Sequence, residues 1–360
     1  MAAVDPAALA EGARNLLLEC GGLRRGDRVA IAAEDPALGW HDAAAPRAVA
    51  AEARRLGMRP EIVPVGGPEA PAPALDRAME TADAVVFFAR IGDQSRFEPQ
   101  ADPRPRIMCY ARDAAALASA FGRIPHGAMR ALKAAVDEAL GAATRIEIAC
   151  PLGTRLSGAP GEAEGPPADV SIRRFPLGVP APTDAASFEG TVMLARWLTP
   201  TGNRSYAPAA AALSAPVAAQ VAGGRLRAVE GAPEDVAAVR THHARVAARF
   251  GLDGNRVLSW HAGIHPGCAH PGPAADDPDR WSNTVFCNPR FLHFHTCGAG
   301  PPGEICWMVA DPTVTLDGVP LWRAGRLAPE GFPAVAAAAA AEPRLAALLE
   351  SPCDAVGVDL

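Results

Sequence analysis

Lysine is almost missing from this chain: Lys133 stands alone among the 34 basic residues of a 360-residue sequence. Aromatic residues reach only 5%, so the core has to be packed from alanine, valine and leucine. One lysine beside an abundance of Ala, Pro and Arg marks a bias in the coding sequence, and that excess carries no functional message. Excess positive charge is missing too. A net charge of −6 and an isoelectric point near 5.9 exclude a general nucleic-acid binder, whose affinity comes from neutralising phosphates with a basic face.

The apolar stretches are short. The longest, such as Ala334 to Ala341, fall well below the roughly 20 residues that a membrane-spanning helix needs. The N-terminus carries Asp5 and Glu11 where a signal region would be basic and then apolar. The expectation is a cytoplasmic protein without a membrane partner. No GxGxxG, P-loop, GxSxG or HExxH motif occurs, which removes nucleotide-cofactor and serine-hydrolase readings. Eight cysteines without a CxxC pair are too sparse for a disulfide scaffold and are expected as thiols.

The first part of the chain alternates helical and strand patterns. Strands are expected over Arg28 to Ala33, Glu61 to Val65, Ala84 to Ala89 and Ile107 to Tyr110. Helices are expected over Pro6 to Gly21, Pro46 to Leu56, Ala74 to Thr81, Ala114 to Phe121 and Gly127 to Leu140. Short apolar strands separated by helices imply a parallel sheet covered on both faces. From Arg145 the pattern changes. Gly158 to Ala168 is a Gly- and Pro-rich linker, and beyond it strands dominate: Thr191 to Trp197, Val217 to Val221, Arg225 to Glu230, Arg256 to His261, Arg290 to Thr296 and Thr313 to Val319, with one helix at Pro233 to Phe250. The expected fold class is α/β, with a parallel α/β domain over residues 1–155 and a β-rich domain over residues 156–360.

Chemistry is concentrated in that second domain. His261, His265, His270, His293 and His295, five of nine histidines, share a segment with Cys268, Cys287, Cys297 and Cys306. Alternate side chains of a strand share a face, so Ser259 and His261 point one way, and His293 and His295 likewise. His265 follows in the turn that Pro266 and Gly267 force. A His-X-His strand can present two imidazoles to one zinc, iron or manganese ion. Taken singly, each histidine is better explained by a hydrogen bond within the core; taken together they are read as a shared metal or substrate site. The cysteines read as buried thiols. Asp276, Asp277 and Asp279 read as a solvated loop, with a lid over a site as the alternative, and His242 and His243 as surface positions of a helix. Trp260, Trp281, Trp307 and Trp322 either wall an apolar ligand pocket or pack the core.

Several segments resemble the aminopeptidase T-like metallopeptidases and their relatives, the 2,5-dihydroxypyridine 5,6-dioxygenases. They are VADPTVTLDGVPLWRAGRL from Val309 to Leu327, SWHAGIHPG from Ser259 to Gly267, FLHFHTCG from Phe291 to Gly298, FEGTVML from Phe188 to Leu194 and GLRRGDRVAI from Gly22 to Ile31. The resemblance implies an aminopeptidase T-like fold, a metal-binding C-terminal domain and a homodimer. It also implies departures. The ligand of the SWHAGIHPG strand falls on Ser259, the His-X-Asp pair before the DPT hairpin on Ile305 and Trp307, and the early peptidase Glu near Val179 and Pro180; His293 sits close to a family histidine.

The reading that follows is an enzyme with a rewired, histidine-rich single-metal site, an oxygenase or hydrolase for a small aromatic, heterocyclic or amino-acid-like substrate. His261, His293 and His295 hold the ion, Fe(II) by family analogy or else zinc. His265 acts as general base or fourth ligand, since an imidazole exchanges protons near neutral pH, with Ser259 and Glu304 in supporting roles. Trp260, Trp281, Trp307 and Asp311 contact substrate. The alternatives are a metal-free binding or biosynthetic partner protein on the same scaffold, and a metal-free enzyme using histidine acid/base chemistry.

Overall fold

A computed structural model describes residues 4–94, 96, 103–161, 170–200, 206–300 and 302–359. The protein is α/β, with one parallel and two antiparallel sheets. Its chain forms two compact units, residues 1–130 with 170–177 and residues 131–169 with 178–360. The division falls within the helix His126–Ala142, and the chain comes back once to the first unit. The returning strand, Arg173–Phe175, pairs with the edge of the parallel sheet; three residues are too few to show a period. Residues 162–168 of the expected linker lie outside the described residues.

In the first unit the parallel sheet runs Arg59–Val65, Arg28–Glu34, Ala84–Phe88, Arg106–Cys109, Arg173–Phe175. Alternation divides its side chains between two cores. Val29 and Ile31 pack with the helices Pro6–Arg14 and Ala44–Arg55, while Ala30 and Ala32 meet Leu75 and Ala78 of the helix Pro73–Thr81. Burial of both faces is why these strands read as continuous apolar runs. The expected helix Pro6 to Gly21 becomes π-helical over Asn15–Cys20. There the Asn15 amide donates to the carbonyls of Gly122 and Ile124 and accepts from the His126 amide, bonds that tie the widened turn in place.

The second unit holds an eight-stranded sheet and a six-stranded sheet, whose order is Ala211–Ala212, Trp197–Thr199, Glu304–Ala310, Phe291–Cys297, Val257–Ala262, Thr183–Asp184. Every pairing in the six-stranded sheet is antiparallel. The helix Pro233–Phe250 begins with proline and ends at Gly251 in the left-handed region, φ 66°, as helix boundary chemistry dictates. His242 and His243 are buried in it, not on the surface as expected. The expected Thr313 to Val319 strand is a hairpin of Thr313–Leu316 and Val319–Arg323, turning at Asp317 and Gly318, both with positive φ. The acidic segment expected as a loop forms the helix Pro278–Val285, with the Asp277 side chain capping its N-terminus and Asp279 buried. All eight cysteines are thiols. Among the described residues, no helix is long and apolar enough to cross a membrane.

Candidate metal centre

Three central strands of the six-stranded sheet build the site. Ser259 pairs with His295 and His261 with His293 across one ladder; His293 pairs with Met308 and His295 with Cys306 across the next. Directly paired residues share a face. Ser259, His261, His293, His295, Glu304, Cys306 and Met308 therefore stand on one side, and Trp260, Phe294, Ile305 and Trp307 on the other. The histidine side is roofed by the helix Pro278–Val285 and the residue after it, through Trp281, Val285 and Phe286. On the reverse side Trp260 meets Phe188 edge-on, and the Trp307 indole donates to His243 Nε2 at 3.0 Å.

The histidine geometry is specific. His261 donates through Nδ1 to the Pro180 carbonyl at 3.0 Å, since a carbonyl can only accept. That bond places the lone pair of neutral His261 on Nε2, which lies 2.9 Å from His293 Nε2. Phe286 stacks on the His293 ring, centroids 4.2 Å apart and planes 12° from parallel, and fixes its orientation. His295 Nδ1 is 3.1 Å from the Ser259 hydroxyl and 3.5 Å from Glu304 Oε1. The ligand atoms of His261, His293 and His295 all lie within 4.8 Å of one another, and those of His295, Glu304 and Cys306 form a second such group. All five side chains are buried.

The other expected participants stand outside these two donor groups. His265 is fully buried, but its Nδ1 accepts from the Gly267 amide at 3.2 Å, and it belongs to neither donor group among the described residues. Trp260 and Trp307 face away from the histidines. Trp281 lies over the histidine side of the sheet, with its indole donating to the Val356 carbonyl at 2.6 Å and its ring edge-on to Trp197 and Phe291. Asp311 is bound in bidentate fashion by Arg290, at 2.7 and 2.8 Å. Ile305 and Trp307, where the resemblance puts a His-X-Asp pair, face away as well; their neighbours Glu304 and Cys306 face the histidines. Near Val179 and Pro180, where the peptidases carry a Glu, this chain offers the carbonyl that orients His261. Cys306 and Phe286 were not among the expected site residues. Cys306 could have been found only by assigning a strand to EICWMVA and counting alternate positions.

The fold has solved counterparts. It is similar to the 2,5-dihydroxypyridine dioxygenase of Pseudomonas putida KT2440, with TM-score 0.59, 14% identity, and coverage of 91% of this chain and 98% of that one. Wild-type AmpT from Thermus thermophilus aligns at TM-score 0.49 and 15% identity over 89% of this chain and 99% of its own. No family model and no curated protein matches the sequence. The likeness to the dioxygenase establishes the fold.

Proposed function

We propose that this protein is a metal-dependent enzyme, an oxygenase or hydrolase for a small aromatic, heterocyclic or amino-acid-like substrate, with a divalent ion held by His261, His293 and His295. The observation that carries this reading is the convergence of three buried imidazoles within 4.8 Å, one of them oriented by the Pro180 carbonyl. A backbone carbonyl holding the far nitrogen is the usual support of a histidine ligand, because it fixes the tautomer and aims the other nitrogen. Three neutral nitrogen donors suit zinc or iron. When bound, the ion would supply Lewis-acid chemistry, polarising a substrate oxygen or activating water.

The chain's own residues then have definite tasks. His261 and His293 present Nε2 atoms held by Pro180 on one side and Phe286 on the other. Ser259 shares a hydrogen bond with His295 Nδ1 and sets that ring's rotation. The stacked Phe286 keeps water off the His293 face. A homodimer, implied by the resemblance, is part of the same proposal; light scattering after size exclusion is expected to give about twice 37.1 kDa.

Metal analysis of protein purified without added metal tests the reading. Stoichiometric iron or zinc is expected in the wild type and is lost in His293→Ala and His295→Ala. Protein that holds no metal after anaerobic purification, and none after reconstitution, would leave only the metal-free alternatives.

A further inference from the structure

The strand Glu304–Ala310 brings two further donors to the histidine face. Cys306 lies opposite His295 in register, and Glu304 Oε1 approaches His295 Nδ1 to 3.5 Å. Nitrogen, carboxylate oxygen and sulfur lie within 4.8 Å of one another, and Glu304 and Cys306 are 1% and 0% exposed. A buried thiol by itself is a small hydrophobe. The company of this one sets it apart: no other cysteine among the described residues belongs to such a donor group. Glu304 is the only charged residue of an otherwise apolar, wholly buried strand, and its carboxylate is turned toward His295.

We infer that the metal centre of this protein is sulfur-ligated: Cys306 as thiolate, Glu304 and His295 bind a borderline divalent ion of the zinc class, and His295 joins this donor set to the His261 and His293 pair. The inference rests on the metal reading above and narrows it to the class of ion. Thiolate selects zinc or cobalt over magnesium, calcium or manganese, which prefer oxygen donors. On binding, the Cys306 S–H bond breaks, its proton leaves to solvent, and the sulfur lone pair forms the bond to the metal; a coordinating thiol is deprotonated outright, with no change of oxidation state. His295 thus belongs to both donor groups.

Cobalt(II) titration of the metal-stripped full chain under reductant, without oxygen, is the test. A near-ultraviolet sulfur-to-cobalt charge-transfer band is expected to grow to saturation, to vanish in Cys306→Ser and to persist in Cys268→Ser. Zinc affinity is expected to fall at least tenfold in Cys306→Ser and in Glu304→Gln. A zinc K-edge absorption spectrum of the wild type needs no variant, and is expected to show a sulfur neighbour at about 2.3 Å. Cobalt bound with d–d bands but no charge-transfer band, a band that survives in Cys306→Ser, or a zinc shell of nitrogen and oxygen alone would overturn sulfur ligation and leave the three-histidine reading standing. Failure of the wild type to bind cobalt or zinc would remove both.

Discussion

Glu34 ends a parallel strand in the first unit and is fully buried beside Arg90, which donates to it through Nε at 2.8 Å and Nη2 at 2.5 Å. Burial alone would raise its pKa, but hydrogen bonds from His41 and Arg90 hold the carboxyl down at about 2. His41 goes the same way for the opposite reason: desolvation outweighs the Glu34 hydrogen bond and lowers the imidazole to about 4. The pair is therefore carboxylate and neutral imidazole. Arg90 and Arg112 both lie over the Trp40 ring, at 4.4 and 4.7 Å. Removing the charge of Glu34 strands a buried guanidinium, so Glu34→Gln is expected to cost about 3–5 kcal/mol. Urea denaturation measures it, and a variant within about 1 kcal/mol of wild type would show that Arg90 has no need of the pair. Nothing in the sequence hints at this cluster, because Glu34 and Arg90 lie 56 positions apart and only strand order joins them. His242 and His243 illustrate the converse. Adjacent helix positions do not share a face, yet both are buried, one against the Tyr206 ring and the other under Trp307.

Among the elements, legibility follows patterning. Phe291–Cys297 was readable because histidine alternates with leucine and phenylalanine, which marks both the strand and its faces. Glu304–Ala310 has no such mark: after its first residue it is apolar on both faces, and a short apolar run cannot be assigned by period alone. Missing that strand meant missing Cys306. The helix Pro278–Val285 did carry a signature, an aspartate cap followed by proline at the first helical position, but the flanking Asp276 and Asp279 concealed it. Gly263 is where the histidine strand meets its turn. A Cβ there would lie 2.2 Å from the Asn288 carbonyl oxygen, and the Gly263 carbonyl accepts from the Trp322 indole at 2.8 Å. Gly263→Ala must push backbone from backbone, so a loss of about 1–3 kcal/mol is expected, with weaker metal binding because His261 lies two residues before it. Thermal melting with zinc titration checks both; an unchanged melting temperature would mean that the turn yields freely.

At the scale of the whole molecule, buried neutral histidines set the response to acid. His41 and His126 in the first unit sit at about 4, and His242 in the second at about 3, each lowered chiefly by desolvation; burial lowers His243 as well. In the unfolded chain these groups titrate at their ordinary value of 6.5. As pH falls below that value the unfolded state takes up protons that the folded state refuses, so stability is complete above pH 6.5 and drains away down to about pH 4, and further for His242. A shift from 6.5 to about 4 at His126 corresponds to roughly 3 kcal/mol lost across that window. Glu34 adds the same sign lower down, its stabilisation present above pH 4.5 and lost as pH falls toward 2. Denaturant unfolding at steps from pH 7.5 to 4.5 should show a continuous fall in stability beginning near 6.5, with net proton uptake on unfolding. His242→Asn should flatten part of that slope, because the amide cannot take up the proton. A stability curve level from pH 7 to 4.5 would mean that these imidazoles titrate in the folded protein much as they do in the unfolded one.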